Sequence, residues 1–358
     1  MSPDVTALRI GPGVAGPGAP LFVVAEIGLN HDGSIDRALD LVDAAAAAGA
    51  SAVKLQTLDA AALVAPGAPA PAHVAAASMV DFFRRYELDE DAHARVAARA
   101  REHGLAVMAT PLSEDAVDLL ERVGVDAYKI ASGDITWEAL ITKAARTNKP
   151  VVISTGMATL AEAQRAARWA TLAGTGGVAL LHCVSAYPVP PGSENLRAVA
   201  TLDRVCGVVV GLSDHGADGF AAPLAVALGA AIYERHLVLA ADDGSIDGAV
   251  SSTPGQLAAI IEAAARAAAA LGTGAKVCLP AEQPNRHPSR RSLHARHPFP
   301  AGHVVAAADV IALRPGTGLG ADRLADLVGT RLVRAIDGGA AFQAADVRGL
   351  DRGTEHVA

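Results

Sequence analysis

Residues 208–236 read VVVGLSDHGADGFAAPLAVALGAAIYERH. Two apolar runs break off abruptly here. The first stops at Leu212 and gives way to Ser213, Asp214 and His215; the second stops at Tyr233 and gives way to Glu234, Arg235 and His236. Short apolar or β-branched runs alternating with longer helical patterns are the mark of βα units around a parallel sheet. This stretch therefore predicts two successive strands whose C-terminal ends carry hydroxyls, carboxylates and imidazoles.

Working outward, the same reading finds strands at Phe22–Ile27, Ala52–Gln56, Ala106–Thr110, Ala127–Ala131, Val151–Ser154, Val178–Cys183, Val208–Leu212 and Ala231–His236. Ala/Leu/Arg/Glu-rich helices such as Asp36–Ala48, Glu114–Val123, Leu160–Ala173 and Pro254–Leu271 lie between or after them. Eight such units predict an α/β fold, a (β/α)8 TIM barrel closing near residue 271. An open Rossmann-type sheet is the alternative, but no GxGxxG follows the first strand. Residues 272–291 hold three prolines and little periodicity and read as a linker. From residue 292 to 358, short apolar runs punctuated by Pro-Gly and Gly-Gly predict a small β-rich C-terminal domain. The opening Gly11–Pro20 reads as a flexible lead-in to a first domain spanning 1–271.

Composition narrows the function. The net charge of −8 and the absence of a basic run exclude a nucleic-acid surface. The longest apolar run, near Phe220 to Tyr233, is shorter than the roughly 18 residues of a membrane span. The three cysteines, Cys183, Cys206 and Cys278, form no CxxC, and no secretory leader is evident, so a reducing cytoplasm is expected. A small-molecule partner remains.

In a barrel of this kind the chemistry sits at the C-terminal strand ends, and every predicted strand ends in polar residues. Glu26 is a carboxylate within the apolar VVAEIG, costly unless paired or used. Asn30 and His31 follow it. Lys54 and Lys129 lie inside strands, among only five lysines in the chain, and suit an anion. Ser132 and Ser154 precede helices, where backbone N–H groups can also face a phosphate. His215 and His236 end adjacent strands and are candidates for a divalent-metal pair, whereas His31 and His182 are read as helpers. Lysines with hydroxyls point to an anionic ligand, and paired imidazoles to a metal acting as Lewis acid on a carbonyl.

The segments FVVAEIGLNHDG, YKIASGDI, PVVISTGMATLAEA, LLHCVSAYPVPP, VGLSDH and ALGAAIYERHLVL resemble the sialic acid synthase family, the phosphoenolpyruvate-condensing nonulosonate synthases. The tail RRSLHARHPFPAGHVVAAADVIALRPGTGLG resembles that family's SAF domain, similar to type III antifreeze proteins. The resemblance runs from about Phe22 to the C-terminus. It implies a transferase joining phosphoenolpyruvate to the open-chain aldehyde of an N-acyl hexosamine or related aldose, with release of phosphate. It places the donor on Lys54, Thr110, Lys129, Ser132, Ser154, Ser185 and Ser213, and manganese or magnesium on His215 and His236. Glu26 matches the essential carboxylate. Asp134 stands as a second catalytic carboxylate where the family commonly has glutamate. Gln56, Tyr187 and Asp247 match sugar-side positions, and Arg314 matches an arginine that reaches across a domain-swapped homodimer. Gly248 and Ser185 depart from the family's common histidine and asparagine. Two rivals remain: a Schiff-base aldolase using Lys54 or Lys129, and a non-catalytic sugar-binding SAF protein.

Overall fold

The computed structural model describes residues 5–69 and 76–350; the expected domain ends at 1–4 and 351–358 lie outside them. The chain divides after Gly272 into two compact units.

In the first unit, β1 (Leu8–Ile10) and β2 (Gly13–Ala15) form an antiparallel hairpin. Eight parallel strands follow: β3 (Phe22–Gly28), β4 (Ala52–Thr57), β5 (Ala106–Pro111), β6 (Ala127–Ile130), β7 (Val151–Ser154), β8 (Val178–Cys183), β9 (Val209–Asp214) and β10 (Ile232–Leu237). Each pairs with the next, and β10 pairs with β3, so the sheet closes into the expected barrel. A two-residue strand, β11 (Ser251–Ser252), adds to β10 at His236 and Leu237. The helices follow from local signals. Those at Leu160–Ala173 and Pro254–Leu271 each begin with a reciprocal capping box, Thr159 with Glu162 and Thr253 with Gln256.

The strand period of two sorts side chains by height and side. Along β3, Val23, Ala25 and Ile27 face outward and pack with Leu41, Val42 and Ala45 of the helix Ile35–Ala47. Phe22 and Val24 join Ala52, Met108, Val152, Leu181 and Ile232 in a separate cluster that fills the lumen. The lead-in expected to be flexible is instead ordered. Leu8, Ile10 and Ala15 of the hairpin join that lumen cluster and close the end of the barrel where the strands begin. Their apolar side chains outweigh the freedom of the Gly/Pro-rich residues around them.

In the second unit, β12 (Ser292–Ala295) and β13 (Val310–Leu313) pair antiparallel, and isolated bridges such as Phe299–Ile336 and Leu332–Val347 extend the β texture. Its own core holds Leu293, Val310, Leu327, Leu332 and Phe342. The stretch read as a linker contains a short helix, Gln283–Ser289.

Candidate functional site

Inward-facing positions change character along each strand. Below lie the apolar lumen residues; one step higher, on the same face, stand Glu26, Lys54, Lys129, Ser154, Ser213 and Glu234, all buried. Register makes several of them neighbours: Glu26 lies opposite Lys54, Ser213 opposite Glu234, and His236 opposite Glu26. Above this layer opens a cavity of about 330 Å3. Its wall includes Lys54, Gln56, Thr110, Lys129, Ser132, Ser154, Ser185, Tyr187, Ser213, His215, His236 and Asp247. Residues from seven strand ends thus converge on one rim, although they span nearly two hundred positions in the chain.

Charges alternate through the buried layer. Lys54 Nζ is paired with Glu26 and lies 3.5 Å from Glu234 Oε1, while Lys129 Nζ lies 3.7 Å from the same oxygen. Ser213 Oγ donates to Glu234 Oε1 at 2.9 Å, and Gln56 Nε2 donates to Glu26 Oε1 at 3.1 Å. Lys129 Nζ donates to Ser154 Oγ at 2.6 Å. Burial alone would raise both carboxyls. It prevails at Glu26, whose pKa is raised against the pull of Lys54. At Glu234, Lys129 and Lys54 together overcome burial and hold the carboxyl down at about 2. Lys54 is likewise kept charged by the two glutamates despite burial, whereas burial lowers Lys129. Two lysines and a set of hydroxyls facing the cavity are the side-chain types that can receive a small anion, with Glu234 as the counter-charge between the lysines.

The backbone beside the hydroxyls leaves no slack. A Cβ on Gly156 would lie 2.2 Å from Ser185 Oγ and 2.7 Å from Ser132 Oγ, and the Gly156 N–H donates to Ser132 Oγ at 3.0 Å. A side chain at position 156 would have to displace the hydroxyls of both serines from the positions they hold at the cavity wall.

The two imidazoles meet at the other side of the cavity, with ring centroids 5.5 Å apart. Tyr187 stacks on His215 at 4.2 Å. His215 Nδ1 is 3.1 Å from the Val184 carbonyl, a contact that makes Nδ1 the N–H and leaves Nε2 as the lone-pair nitrogen. Burial lowers His236 to about 4, so its ring is neutral. Its buried Nδ1 makes no hydrogen bond, although Asp247 Oδ2 stands 3.3 Å away. His215 is the opposite case, its pKa raised against burial by Cys183 and the Val184 carbonyl. Two adjacent imidazoles, one of them neutral with an orphaned ring nitrogen, and a nearby carboxylate are donor types that suit a divalent ion. Among the described residues no three His, Cys, Asp or Glu side chains cluster closely enough to enclose one. A metal here would take only part of its coordination from the protein.

Three expected residues stand apart from the cavity wall. Glu26 lies beneath it, within reach of Lys54 and Gln56. Asp134, half-buried on the single turn Ser132–Asp134, has a carboxyl raised by burial. Arg314 belongs to the second unit, exposed directly after β13. Residues the motif reading left without a role also line the wall. Glu234 is one, and Cys183, 3.7 Å from His215 Nδ1, is another. Both were signalled by their inward parity with Ser213 and His236 or by their neighbouring position in β8.

Comparison with known proteins places this arrangement in context. The NeuB family model matches residues 41–276, and a SAF domain model matches 290–348. An N,N'-diacetyllegionaminic acid synthase of Campylobacter jejuni is 32% identical over 315 residues, covering 86% of this chain and 94% of that protein. A pseudaminic acid synthase from the same species is 31% identical over 335 residues, covering 92% and 97%. The solved N-acetylneuraminic acid synthetase of Leptospira borgpetersenii, in complex with citrate, superimposes with a TM-score of 0.73 at 29% identity, over 78% of this chain and 95% of that one.

Proposed function

Because the chain belongs to the NeuB family, matched over residues 41–276, we propose that it condenses phosphoenolpyruvate with the open-chain aldehyde of an N-acyl hexosamine or related aldose and releases phosphate. The observation that carries this reading is the buried row Glu26–Lys54–Glu234–Lys129 beneath a rim holding both imidazoles. An anion receptor and a carbonyl-binding corner within one cavity are what joining an anionic enol ester to an aldehyde requires.

In this reading Lys54 and Thr110 take the donor carboxylate. Lys129, Ser132, Ser154, Ser185 and Ser213 take its phosphate. His215 and His236 would hold manganese or magnesium, which supplies Lewis acidity toward the aldehyde oxygen. Gln56, Tyr187 and Asp247 orient the sugar. A bond forms between donor C3 and the aldehyde carbon, and the aldehyde oxygen gains a proton. Water adds its oxygen to donor C2 and gives up a proton, with Glu26 stationed to receive it. The C2–O bond to phosphate then breaks, the remaining C2 hydroxyl passes its proton to the departing phosphate, and the ketone is left. Asp134 is assigned a second proton-handling role. Arg314 is assigned to the sugar site of a second copy in a domain-swapped homodimer.

The test is phosphate release from phosphoenolpyruvate with manganese and a panel of hexosamines, with products identified by mass spectrometry. Release with at least one aldose supports the assignment; none with any aldose sinks it. One observation favours a second reading, in which Lys129 is an aldolase nucleophile, because burial lowers its pKa. Borohydride with substrate would then trap an adduct on Lys129 and chelation would leave activity intact, whereas the condensation predicts no adduct and loss of activity on chelation.

A further inference from the structure

Asn30 is fully buried just beyond β3, yet it neither lines the cavity nor belongs to the row of charges. Its side chain is spent on Asp247. Asn30 Oδ1 accepts from the Asp247 N–H at 3.2 Å. Asn30 Nδ2 donates to Ser251 Oγ at 3.0 Å and to the Leu237 carbonyl at 2.9 Å. Ser251 Oγ in turn donates to the Asp247 carbonyl at 2.7 Å. Three hydrogen bonds thus close a ring through Asn30, Ser251 and Asp247, and both backbone groups of Asp247 are held in it.

The ring is tied to a second anchor. Arg37, in the first turns of the helix Ile35–Ala47, donates through Nε to the Asn30 carbonyl at 2.7 Å. Its Nη2 reaches Asp243 Oδ2 at 2.6 Å and Ser245 Oγ at 2.8 Å, and the Ser245 N–H donates to Asp243 Oδ1 at 3.0 Å. The segment from Leu239 to Asp247 belongs to no strand, so sheet pairing does not orient it. A carboxylate on such a segment would sample many positions. Instead Asp247 Oδ2 stands 3.3 Å from His236 Nδ1 at the cavity edge.

We infer that Asn30, braced by Arg37, is a positioning residue. It fixes the Asp247 peptide so that the carboxylate faces His236 and the acceptor side of the cavity, and it leaves the donor side alone. This deepens the proposed function and rests on it for the word acceptor. The brace itself rests only on the hydrogen bonds. Displacing a substrate-orienting group by about an ångström can lower turnover by orders of magnitude without any change at the reacting atoms.

The experiment uses the full chain, with Asn30→Ala and Arg37→Ala as variants. Hydrogen exchange read by mass spectrometry should quicken in peptides spanning 239–250 and stay unchanged in those covering β4 to β8. With phosphoenolpyruvate and a responding aldose, the acceptor KM should rise, or kcat fall, by roughly 10- to 100-fold while the donor KM holds. Exchange unchanged in 239–250, protection lost throughout the barrel, or donor and acceptor KM rising together would each overturn the inference. Should Asn30→Ala fail to fold, Arg37→Ala decides, because that side chain is 26% exposed and fills no core. Should the wild-type protein release no phosphate with any aldose, the proposed reaction falls, while the exchange result still decides the brace.

Discussion

At the scale of single residues the candidate site turns on two glutamates that share Lys54 yet differ in state. Glu26 has the raised pKa, because burial outweighs Lys54. A group that must receive a proton works only when ionised, so kcat/KM should fall as pH drops through that raised value. Its acid limb should lie above the ordinary 4.5 of a glutamate. Glu26→Gln, which can still accept from Lys54, should abolish phosphate release yet leave phosphoenolpyruvate binding intact by titration calorimetry; unchanged turnover would remove Glu26 from the mechanism. Glu234 is the opposite case, ionised and shared by Lys54 and Lys129. Taking away one partner of a buried ion pair strands the other, so Glu234→Gln should lower stability by about 3 kcal/mol. The urea midpoint reads that loss, and kinetics should show a raised donor KM with the acceptor KM unmoved. Glu26 was legible in the sequence because a carboxylate interrupts an apolar strand. Glu234 was legible only as a polar strand end, since its function as shared counter-charge depends on lysines from two other strands.

At the scale of elements, the strands were legible because a parallel strand buried on both faces reads as an unbroken apolar run with a polar end. The bounds shift by a residue or two: at β9 the polar Ser213 and Asp214 continue the ladder beyond the apolar run, and β10 runs one residue later, from Ile232 to Leu237. The β1–β2 hairpin was not legible. Its lumen contacts are made by Leu8, Ile10 and Ala15 with strands far along the chain, and the intervening glycines and proline masked them. The ring at Asn30 was hidden for a similar reason, since its members lie more than two hundred positions apart. Barrel closure can be tested at Gly211 in β9, where a Cβ would sit 2.3 Å from the Ile232 carbonyl and 2.6 Å from Leu181 Cδ2. Gly211→Ala should therefore lower stability by about 1–3 kcal/mol through overpacking of the β8–β9–β10 seam. A lower urea midpoint at an unchanged m-value checks it, and an unchanged midpoint would mean the seam yields without strain.

At the scale of the whole molecule the open issue is what the second unit contributes. It carries its own core and an exposed Arg314 directly after β13, and the proposed reaction assigns that guanidinium to a sugar held by another copy. Complementation distinguishes action in trans from action in cis. Glu26→Gln and Arg314→Ala should each inactivate a homodimer. In a hybrid dimer with one chain of each kind, trans action puts both defects at one site and leaves the other intact. Hybrids isolated through two different affinity tags should then show about half the wild-type turnover per dimer, as expected for a two-fold assembly exchanging one element. Cis action gives each hybrid site one defect, and the hybrids stay inactive. An inactive hybrid, or a protein that sediments as a monomer under assay conditions, removes Arg314 from the partner's site.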